Sequence, residues 1–344
     1  MRMSWRVLPE HLTDDKPRLR SDKLGYARAM DAGYFLTSLA QSYGIIFVTL
    51  VTFVVFSVSR KAFLSPENIY GLFYGVSLDL YAITGFTLLI IMGEIDLSVG
   101  SVYALSGTTA GYLATRGFPT EFGVLIGIVI GFAVGAGNGL LVVKLKINSI
   151  ILTIGTLLTV RGLSDVVAAT MAGNRYAEGF RAIARARFLS VNWTVPAMFL
   201  VVLVLEFVLS RSTSARVLYY IGNNGKSALI HGMRTDATRI GAFVLSGGLA
   251  ALSGVLVASR ITIADVDMGR HLEFTILTAA VIGGASLFGG RGRVVNSVVA
   301  YLFLAMLVNG LIMFGVEPVF QQVIVGVILV AVVAADTQLN KEAG

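Results

Sequence analysis

Two regions of this sequence place carboxylates inside long apolar segments. Asp79 lies near the middle of one such segment, within the stretch Gly75–Tyr81. A carboxylate at membrane depth is costly unless it faces a partner, water or a transport path. Asp79 is therefore a candidate for a path through a membrane. The alternative is a protonated or hydrogen-bonded carboxyl that fixes helix packing, with Ser77 and Tyr81 nearby in sequence.

The second region is the stretch Gly93–Ser101, which separates two apolar segments and contains Glu94, Asp96 and Ser98. Non-helical backbone persists at membrane depth only where it is buried in protein or lines water, and this composition suits such a break. Together with Asp79, these three residues are predicted to lie near a transport path. The alternative is a helix N-cap formed by Asp96 and Ser98.

Several other kinds of chemistry are excluded. The 344 residues include no cysteine, which removes disulfides, thiolate metal sites and cysteine nucleophiles, and the three histidines are widely separated. The stretch Gly225–Ser227 resembles the end of a phosphate-binding loop, but that loop needs a glycine at position 220, which is Tyr. We predict no catalytic residue, no metal site and no cofactor bound by this chain, and hence no enzyme.

Long apolar helices must carry these residues. Apolar residues make up 56% of the chain and charged residues only 14%, whereas soluble proteins have about 25% charged residues. Hydropathy predicts ten apolar segments, two of which, 98–114 and 273–289, are short for about 30 Å of hydrocarbon. The predicted fold class is an all-α membrane protein with about ten transmembrane helices, some of them broken or re-entrant. The ten segments are 43–59, 69–92, 98–114, 121–143, 148–171, 193–210, 238–259, 273–289, 294–314 and 319–335.

The distribution of Lys and Arg predicts which ends of the helices face the cytoplasm. With the N-terminus inside, the inside segments hold 17 of these residues and the outside segments nine, in the sense of the positive-inside rule. We expect a cytoplasmic tail over 1–42, a transmembrane domain over 43–335 with a cytoplasmic loop over 211–239, and a cytoplasmic tail over 336–344. Basic cytoplasmic segments then account for the formal charge of +7, and no nucleic-acid partner is predicted.

Two patterns on the predicted helices concern packing. Glycine recurs every four residues at positions 123, 127, 131, 135 and 139. Such a stripe lets another backbone approach closely, which predicts tight packing within the chain; a subunit interface and a sliding contact are the alternatives. On the next helix, Arg161 and Asp165 are four residues apart and can form a structural pair.

The longest polar stretch between apolar segments runs from Arg211 to Arg239. Its centre, Asn223–Arg234, predicts a short surface helix that begins with Asn and ends at Gly232. A short helix of this kind can dock into a groove of a partner protein. A simple connecting loop is the alternative.

Three stretches together resemble the ribose-type sugar permeases, the membrane subunits of bacterial ABC importers for monosaccharides. Their order and spacing agree with that family over the predicted transmembrane domain. The stretches are Gly93-Glu-Ile-Asp-Leu-Ser-Val-Gly-Ser101, Gly222-Asn-Asn224 followed by Ala228, Gly232 and Met233, and Ala280-Val-Ile-Gly-Gly-Ala-Ser-Leu-Phe-Gly-Gly-Arg-Gly-Arg293.

The resemblance implies a ten-helix subunit of the vitamin-B12-importer-like (type II) architecture in the bacterial inner membrane, with both termini in the cytoplasm. It implies a pair of such subunits, identical or closely related, with two cytoplasmic ATPase subunits that bind ATP and Mg²⁺ and an external sugar-binding protein. It also implies that Asn223–Arg234 is the coupling helix that contacts the ATPase. The residues that carry this assignment are Asn223, Asn224, Ala228, Gly232 and Met233.

The function implied by the resemblance is ATP-driven import of a monosaccharide, polyol or related sugar derivative by alternating access. The chain departs from the family pattern at Glu94, where glycine is usual, and at Asp79, where relatives commonly carry an uncharged polar residue. It also departs at 225–227, where Gly-Lys-Ser replaces a more acidic, alanine-rich run. An alternative is a secondary transporter that couples ion flow through Asp79 and Asp96. A non-transporting scaffold is a further alternative, but it leaves the polar break unexplained.

Overall fold

The computed structural model describes residues 44–171 and 174–342, and this part of the chain is almost entirely helical. The predicted tail 1–42 lies outside the described residues. A 3₁₀ turn at Lys61–Leu64 follows the first helix, and a small antiparallel hairpin, β1 (Arg187–Phe188) with β2 (Val191–Asn192), precedes the seventh. The helices are α1 (Gly44–Ser59), α2 (Pro66–Ile91), α3 (Val99–Thr115), α4 (Thr120–Leu145), α5 (Ser149–Thr170), α6 (Glu178–Arg185), α7 (Thr194–Arg211), α8 (Thr213–Ile230), α9 (Thr235–Arg260), α10 (Leu272–Ile282), α11 (Val294–Met313) and α12 (Pro318–Glu342).

Each of the ten predicted apolar segments corresponds to a helix. Seven of the described helices are long and apolar enough to cross a membrane: α2, α4, α5, α7, α9, α11 and α12. α1 and α10 are apolar but shorter, and α3 has 17 residues. α10 ends at Ile282 rather than near position 289, because Gly284 adopts a φ of +87° and the Ala285 amide donates to the carbonyl oxygen of Ala280 at 3.0 Å.

The centre of the helical unit is formed by α2, α3 and α9. In α2 83% of the apolar span is buried, whereas in α12 only 6% is buried. Small residues let α2 and α9 approach closely: the Ala82 amide donates to Ser253 Oγ at 3.0 Å, and Gly85 lies against the backbone of Ser246. Asp79 is therefore carried by one of the most enclosed helices, which the surrounding helices hold in place.

The glycine stripe of α4 packs inside the chain. A Cβ atom at Gly123 or Gly127 would overlap carbonyl oxygens of α3, and one at Gly131 or Gly135 would overlap carbonyl oxygens of α9. The prediction of tight packing within the chain is confirmed. The contact depends on backbone approach, which a side chain at these positions would prevent.

The predicted pair of Arg161 and Asp165 is wrong as a contact. Arg161 donates instead to the carbonyl oxygens of Met268 and Gly269, both at 2.8 Å. Asp165 Oδ1 is buried without a hydrogen-bond partner among the described residues. The cause is the non-helical segment 261–271, which enters the helix bundle with carbonyl groups that need donors.

Candidate transport path and coupling site

The carboxylate of Asp79 joins three helices. Its Oδ1 accepts a hydrogen bond from the Tyr103 hydroxyl at 2.9 Å, and its Oδ2 accepts one from the Tyr301 hydroxyl at 2.8 Å. These residues lie on α2, α3 and α11, and we call them the Asp79 clasp. Its partners are thus two tyrosines from other helices, whereas Ser77 donates to the Thr194 hydroxyl at 2.9 Å.

A cavity of about 340 Å³ lies beside the Asp79 clasp, between α2, α10, α11 and α12. Its wall is mostly apolar, with polar groups from Asp79, Thr275, Tyr301 and Asn309. Asn309 Nδ2 donates to Asn68 Oδ1 at 2.9 Å, while Asn309 Oδ1 has no partner among the described residues. Apolar cavities with a few placed polar groups are typical of small-molecule sites. This one offers acceptor oxygens to a ligand that has hydroxyl donors.

Asp96 and Ser98 belong to a buried hydrogen-bonded chain that reaches α5. Asp96 Oδ1 accepts from the Ser98 amide at 2.9 Å and from its hydroxyl at 2.5 Å. Asn138 Nδ2 donates to Ser98 Oγ at 3.0 Å, and Asn138 Oδ1 accepts from the Thr156 hydroxyl at 2.7 Å. Ser98 is the N-cap residue of α3 by position, but neither its side chain nor that of Asp96 accepts from an amide in the first turn of α3, so the N-cap alternative is wrong as a hydrogen bond. Neither Asp96 nor Ser98 lines the cavity beside Asp79.

Glu94 faces Arg239, near the start of α9. Arg239 Nε lies 3.6 Å from Glu94 Oε1, and both side chains are partly buried. Arg239 also approaches Gly225, where a Cβ atom would lie 3.1 Å from Arg239 Nη2. Glu94, whose negative charge departs from the pattern of the ribose-type permeases, is therefore paired with the positive charge of Arg239, a neighbour of the predicted coupling helix. The four predicted path residues do not gather in one site: Asp79 borders the cavity, and the others lie in the segment between α2 and α3.

The predicted coupling helix is the second half of α8. Asn224 has an extended backbone conformation, with φ −160° and ψ 92°, which divides α8 into two helices. Asn224 Oδ1 accepts from the Ser227 amide at 3.0 Å and so caps the second helix. The predicted start at an asparagine is confirmed at Asn224, whereas Asn223 belongs to the preceding helix. That preceding helix begins at Thr213, so most of the stretch expected to be a loop is helical.

The predicted coupling helix ends at Gly232, as the sequence indicated. Gly232 has a φ of +76°, and the amides of Gly232 and Met233 donate to the carbonyl oxygens of Leu229 and Ala228 at 3.0 and 3.1 Å. This pair of hydrogen bonds is typical of a helix C-terminus, where the positive φ favours glycine. Ala228 is buried, while Leu229 and Ile230 are 62% and 83% exposed. The helix therefore presents apolar side chains outward at the point where it turns back.

The three stretches singled out in the sequence meet at one end of the helical unit. The Gly290 amide donates to the carbonyl oxygen of Ile91 at 2.8 Å. A Cβ atom at Gly222 would overlap both of those groups, and one at Gly93 would lie 3.4 Å from the carbonyl oxygen of Phe288. We call Ile91, Gly93, Gly222 and Gly290 the glycine junction. It joins the first half of α8 to the end of α2 and to the loop before α11 by direct backbone contact.

Tyr219 strengthens the glycine junction from α8. Its hydroxyl donates to the carbonyl oxygen of Gly292 at 3.1 Å. Burial raises the pKa of the Tyr219 phenol, so the hydroxyl keeps its proton and remains a donor near neutral pH. Sequence reasoning did not single out Tyr219, nor Tyr103, Tyr301 and Arg239. Their partners lie on other helices, and no spacing within the chain indicates such contacts.

Comparison of the chain with known proteins identifies the family to which it belongs. The family model for the branched-chain amino acid transport system / permease component matches residues 69–333. The ribose import permease protein of Bacillus subtilis is 33% identical over 287 residues, which cover 82% of this chain and 88% of that protein. No solved structure matches the chain.

Two further relatives are transport permeases of similar length. The L-arabinose ABC transporter permease protein of Azospirillum brasilense is 31% identical, covering 85% of this chain and 86% of that protein. The D-allose transport system permease protein of Escherichia coli is 31% identical, covering 87% and 92%. These relatives do not favour the ion-coupled secondary transporter. The chain belongs to the family described as the permease component of branched-chain amino acid transport systems, and it is a multi-pass membrane permease.

Proposed function

We propose that this chain is the membrane subunit of an ATP-driven importer that moves a monosaccharide, or a related polyol or sugar derivative, into a bacterial cell by alternating access. The relatives named for ribose, L-arabinose and D-allose support a monosaccharide as the substrate class. The observation that carries the proposal is the glycine junction beside the coupling helix. An exposed helix fixed to the ends of two buried segments is suited to pass on movement from a docked partner.

In this proposal, ATP and Mg²⁺ are bound by a separate ATPase subunit, which contacts Leu229 and Ile230 of the coupling helix. An external sugar-binding protein delivers the substrate at the opposite side of the inner membrane. The chain works as a homodimer or with a closely related subunit. Ten spans in the type II arrangement, with the tails 1–42 and 336–344 in the cytoplasm, agree with the ten helical apolar segments and with the Lys and Arg distribution.

The substrate path in this proposal passes the Asp79 clasp and its cavity, whose acceptor oxygens suit the hydroxyl donors of a sugar. Glu94, Asp96 and Ser98 remain candidates on the same path at its cytoplasmic side. Their hydrogen bonds link the segment between α2 and α3 to α4 and α5, and the ion pair of Glu94 with Arg239 links it to α9. In this proposal, substrate specificity lies mostly in the external binding protein.

The test is co-purification of the tagged protein from its native membrane, with an ATPase assay and mass spectrometry of the retained subunits. Gly232→Pro should reduce the retained ATPase at least about tenfold, because proline fixes φ near −65° and removes the amide that closes the coupling helix. Gly232 has a φ of +76° and its amide is used in that closure.

A matched control exists at the end of α11. Gly315 also has a φ of +76°, its amide donates to the carbonyl oxygen of Ile312 at 2.9 Å, and the Val316 amide donates to that of Leu311 at 3.0 Å. Gly315→Pro breaks an equivalent helix end away from the coupling helix and should retain the ATPase. If the wild-type chain retains no ATPase subunit, or if both variants lose the ATPase equally, the proposed role of the coupling helix is contradicted.

A further inference from the structure

The segment 261–271, between α9 and α10, turns back into the helix bundle instead of remaining at its surface. Met268 is only 5% exposed, and its methyl group lies beside Gly107 of α3. Gly269 has a φ of +68°, and a Cβ atom there would crowd the carbonyl oxygen of Gly100 and the ring of Tyr103. The tip of the segment thus lies directly against a member of the Asp79 clasp.

Arg161 of α5 holds this tip in place. Its Nη1 donates to the carbonyl oxygen of Met268 and its Nη2 to that of Gly269, both at 2.8 Å. Irregular backbone inside a membrane bundle needs such donors, because carbonyl groups without partners are costly there. The planar guanidinium supplies two of them from one side chain. Arg161 therefore fastens the tip to α5, whereas the start of the segment is held separately by the Tyr176 amide, which donates to the carbonyl oxygen of Thr262 at 3.1 Å.

Two carboxylates near Arg161 keep oxygens that no hydrogen bond satisfies. Among the described residues, neither Asp165 Oδ1 nor Glu273 Oε2 has a partner, although both atoms are buried. Asp165 lies one turn after Arg161 on α5, and Glu273 lies in the first turn of α10 against Gly100. Glu273, Asp165 and Asp267 act on Arg161 as opposite charges, and Arg270 acts as a like charge. A buried carboxylate oxygen without a hydrogen bond is costly, and such atoms in a native structure call for an explanation.

We infer that residues 261–271 form a movable gate over the Asp79 clasp, and that Arg161 is the positioning residue that holds the gate closed. Opening exchanges the two carbonyl oxygens for the free oxygens of Asp165 and Glu273, so that Arg161 is satisfied in both positions. Because Tyr103 touches Gly269 and also donates to Asp79, withdrawal of the tip uncovers the clasp. The inference rests on the proposed function, which places this gate on the external side.

The absence of cysteine from the chain makes the test direct. Met268→Cys places a thiol at the buried tip, and Val266→Cys places one two residues earlier, where the side chain is 45% exposed. A membrane-impermeant maleimide is applied to intact cells and to inverted vesicles of the native host, with ATP present or depleted. Retention of an ATPase subunit is measured in the same membranes.

Labelling of the Met268→Cys variant in intact cells should be about tenfold faster or more with ATP than without it, since a minor open state is populated at roughly 10% or less when the gate is held. The Val266→Cys variant should be labelled at one rate throughout. Combining Asp165→Asn with Glu273→Gln should remove the ATP dependence of the Met268→Cys thiol without raising its basal rate, because Arg161 then loses the two carboxylates that receive it in the open position. Arg161→Gln should raise the basal rate.

Different results would contradict the gate and the proposed function. If the Met268→Cys variant is labelled at the same rate with and without ATP while the ATPase is retained, the segment is a static plug and the inference is wrong. If the ATP dependence persists when Asp165→Asn and Glu273→Gln are combined, Arg161 does not move to these carboxylates and that part of the inference is wrong. If the ATP effect occurs only in inverted vesicles, the gate stands but the proposed orientation fails. If no ATPase is retained, the proposed function fails, and unchanged labelling in Arg161→Gln then rejects the role of Arg161 independently.

Discussion

At the residue scale, the Asp79 clasp combines an enclosed carboxylate with two hydroxyl donors from different helices. A hydrogen bond within a protein contributes about 0.5–1.5 kcal/mol, and one of its buried groups left without a partner costs about 1–3 kcal/mol. The clasp therefore stabilises the packing of α2, α3 and α11 and also keeps the carboxylate oriented toward the adjoining cavity. Both roles depend on the same two phenol groups.

Tyr103→Phe should lower the stability of the purified protein by about 1–3 kcal/mol, because it leaves one oxygen of Asp79 without its donor. The midpoint of thermal unfolding in detergent measures this effect. Tyr112→Phe on the same helix is the control, since the Tyr112 ring stacks under Arg116 and its hydroxyl has no hydrogen bond among the described residues. Equal loss in the two variants, or no loss in either, would show that the clasp contributes nothing to packing.

The sequence identified Asp79 because a carboxylate in an apolar segment is unusual. It could not identify Tyr103 and Tyr301, which lie 24 and 222 residues away in the chain. Tyrosines are common in membrane helices, and only the packing shows which of them reach a carboxylate. The same limit applies to Arg161, whose chosen partners are backbone carbonyl groups that no side-chain pattern indicates.

At the element scale, α4 is held against α3 and α9 by its glycine stripe, so its stability depends on the absence of side chains. Gly131→Ala should destabilise the protein by about 1–3 kcal/mol, because the new methyl group would overlap Gly247 O and Ala251 Cβ. The shift in the unfolding midpoint is the measurement.

Gly137 provides the matched control on the same helix. A Cβ atom there meets no atom within 4 Å, so Gly137→Ala should be neutral or stabilising by up to about 1 kcal/mol through helix propensity. A stabilising Gly131→Ala change would contradict the close backbone contact between α4 and α9.

The positions of the apolar helices were predictable, because hydropathy detects any segment that avoids water. Their ends were less so. α10 stops at Ile282 because Gly284 reverses the chain, and a hydropathy window does not register the conformation of one glycine. The first half of α8 was missed for the opposite reason: its residues Thr213–Asn223 are too mixed in polarity for the window, yet they pack against neighbouring helices.

At the scale of the whole molecule, the candidate path and the coupling site are separate but physically connected. The Asp79 clasp lies within the central helices, whereas the glycine junction joins the ends of α2 and the loop before α11 to α8. The Glu94–Arg239 contact links the same end to α9, and the hydrogen bonds from Asp96 to Thr156 link it to α4 and α5. The family resemblance identified the three stretches separately, but only the folded structure shows that they meet at the glycine junction.

The central claim is that ATP hydrolysis in a partner, rather than an ion gradient, drives import through this chain. The most direct test is uptake of labelled ribose, arabinose and allose by cells that contain the protein, compared with cells that lack it. The account predicts that protein-dependent uptake of at least one of these sugars persists in the presence of a protonophore while ATP is maintained, and that it stops when ATP is depleted. Uptake that is abolished by the protonophore with ATP still present, and that survives ATP depletion, would contradict the account.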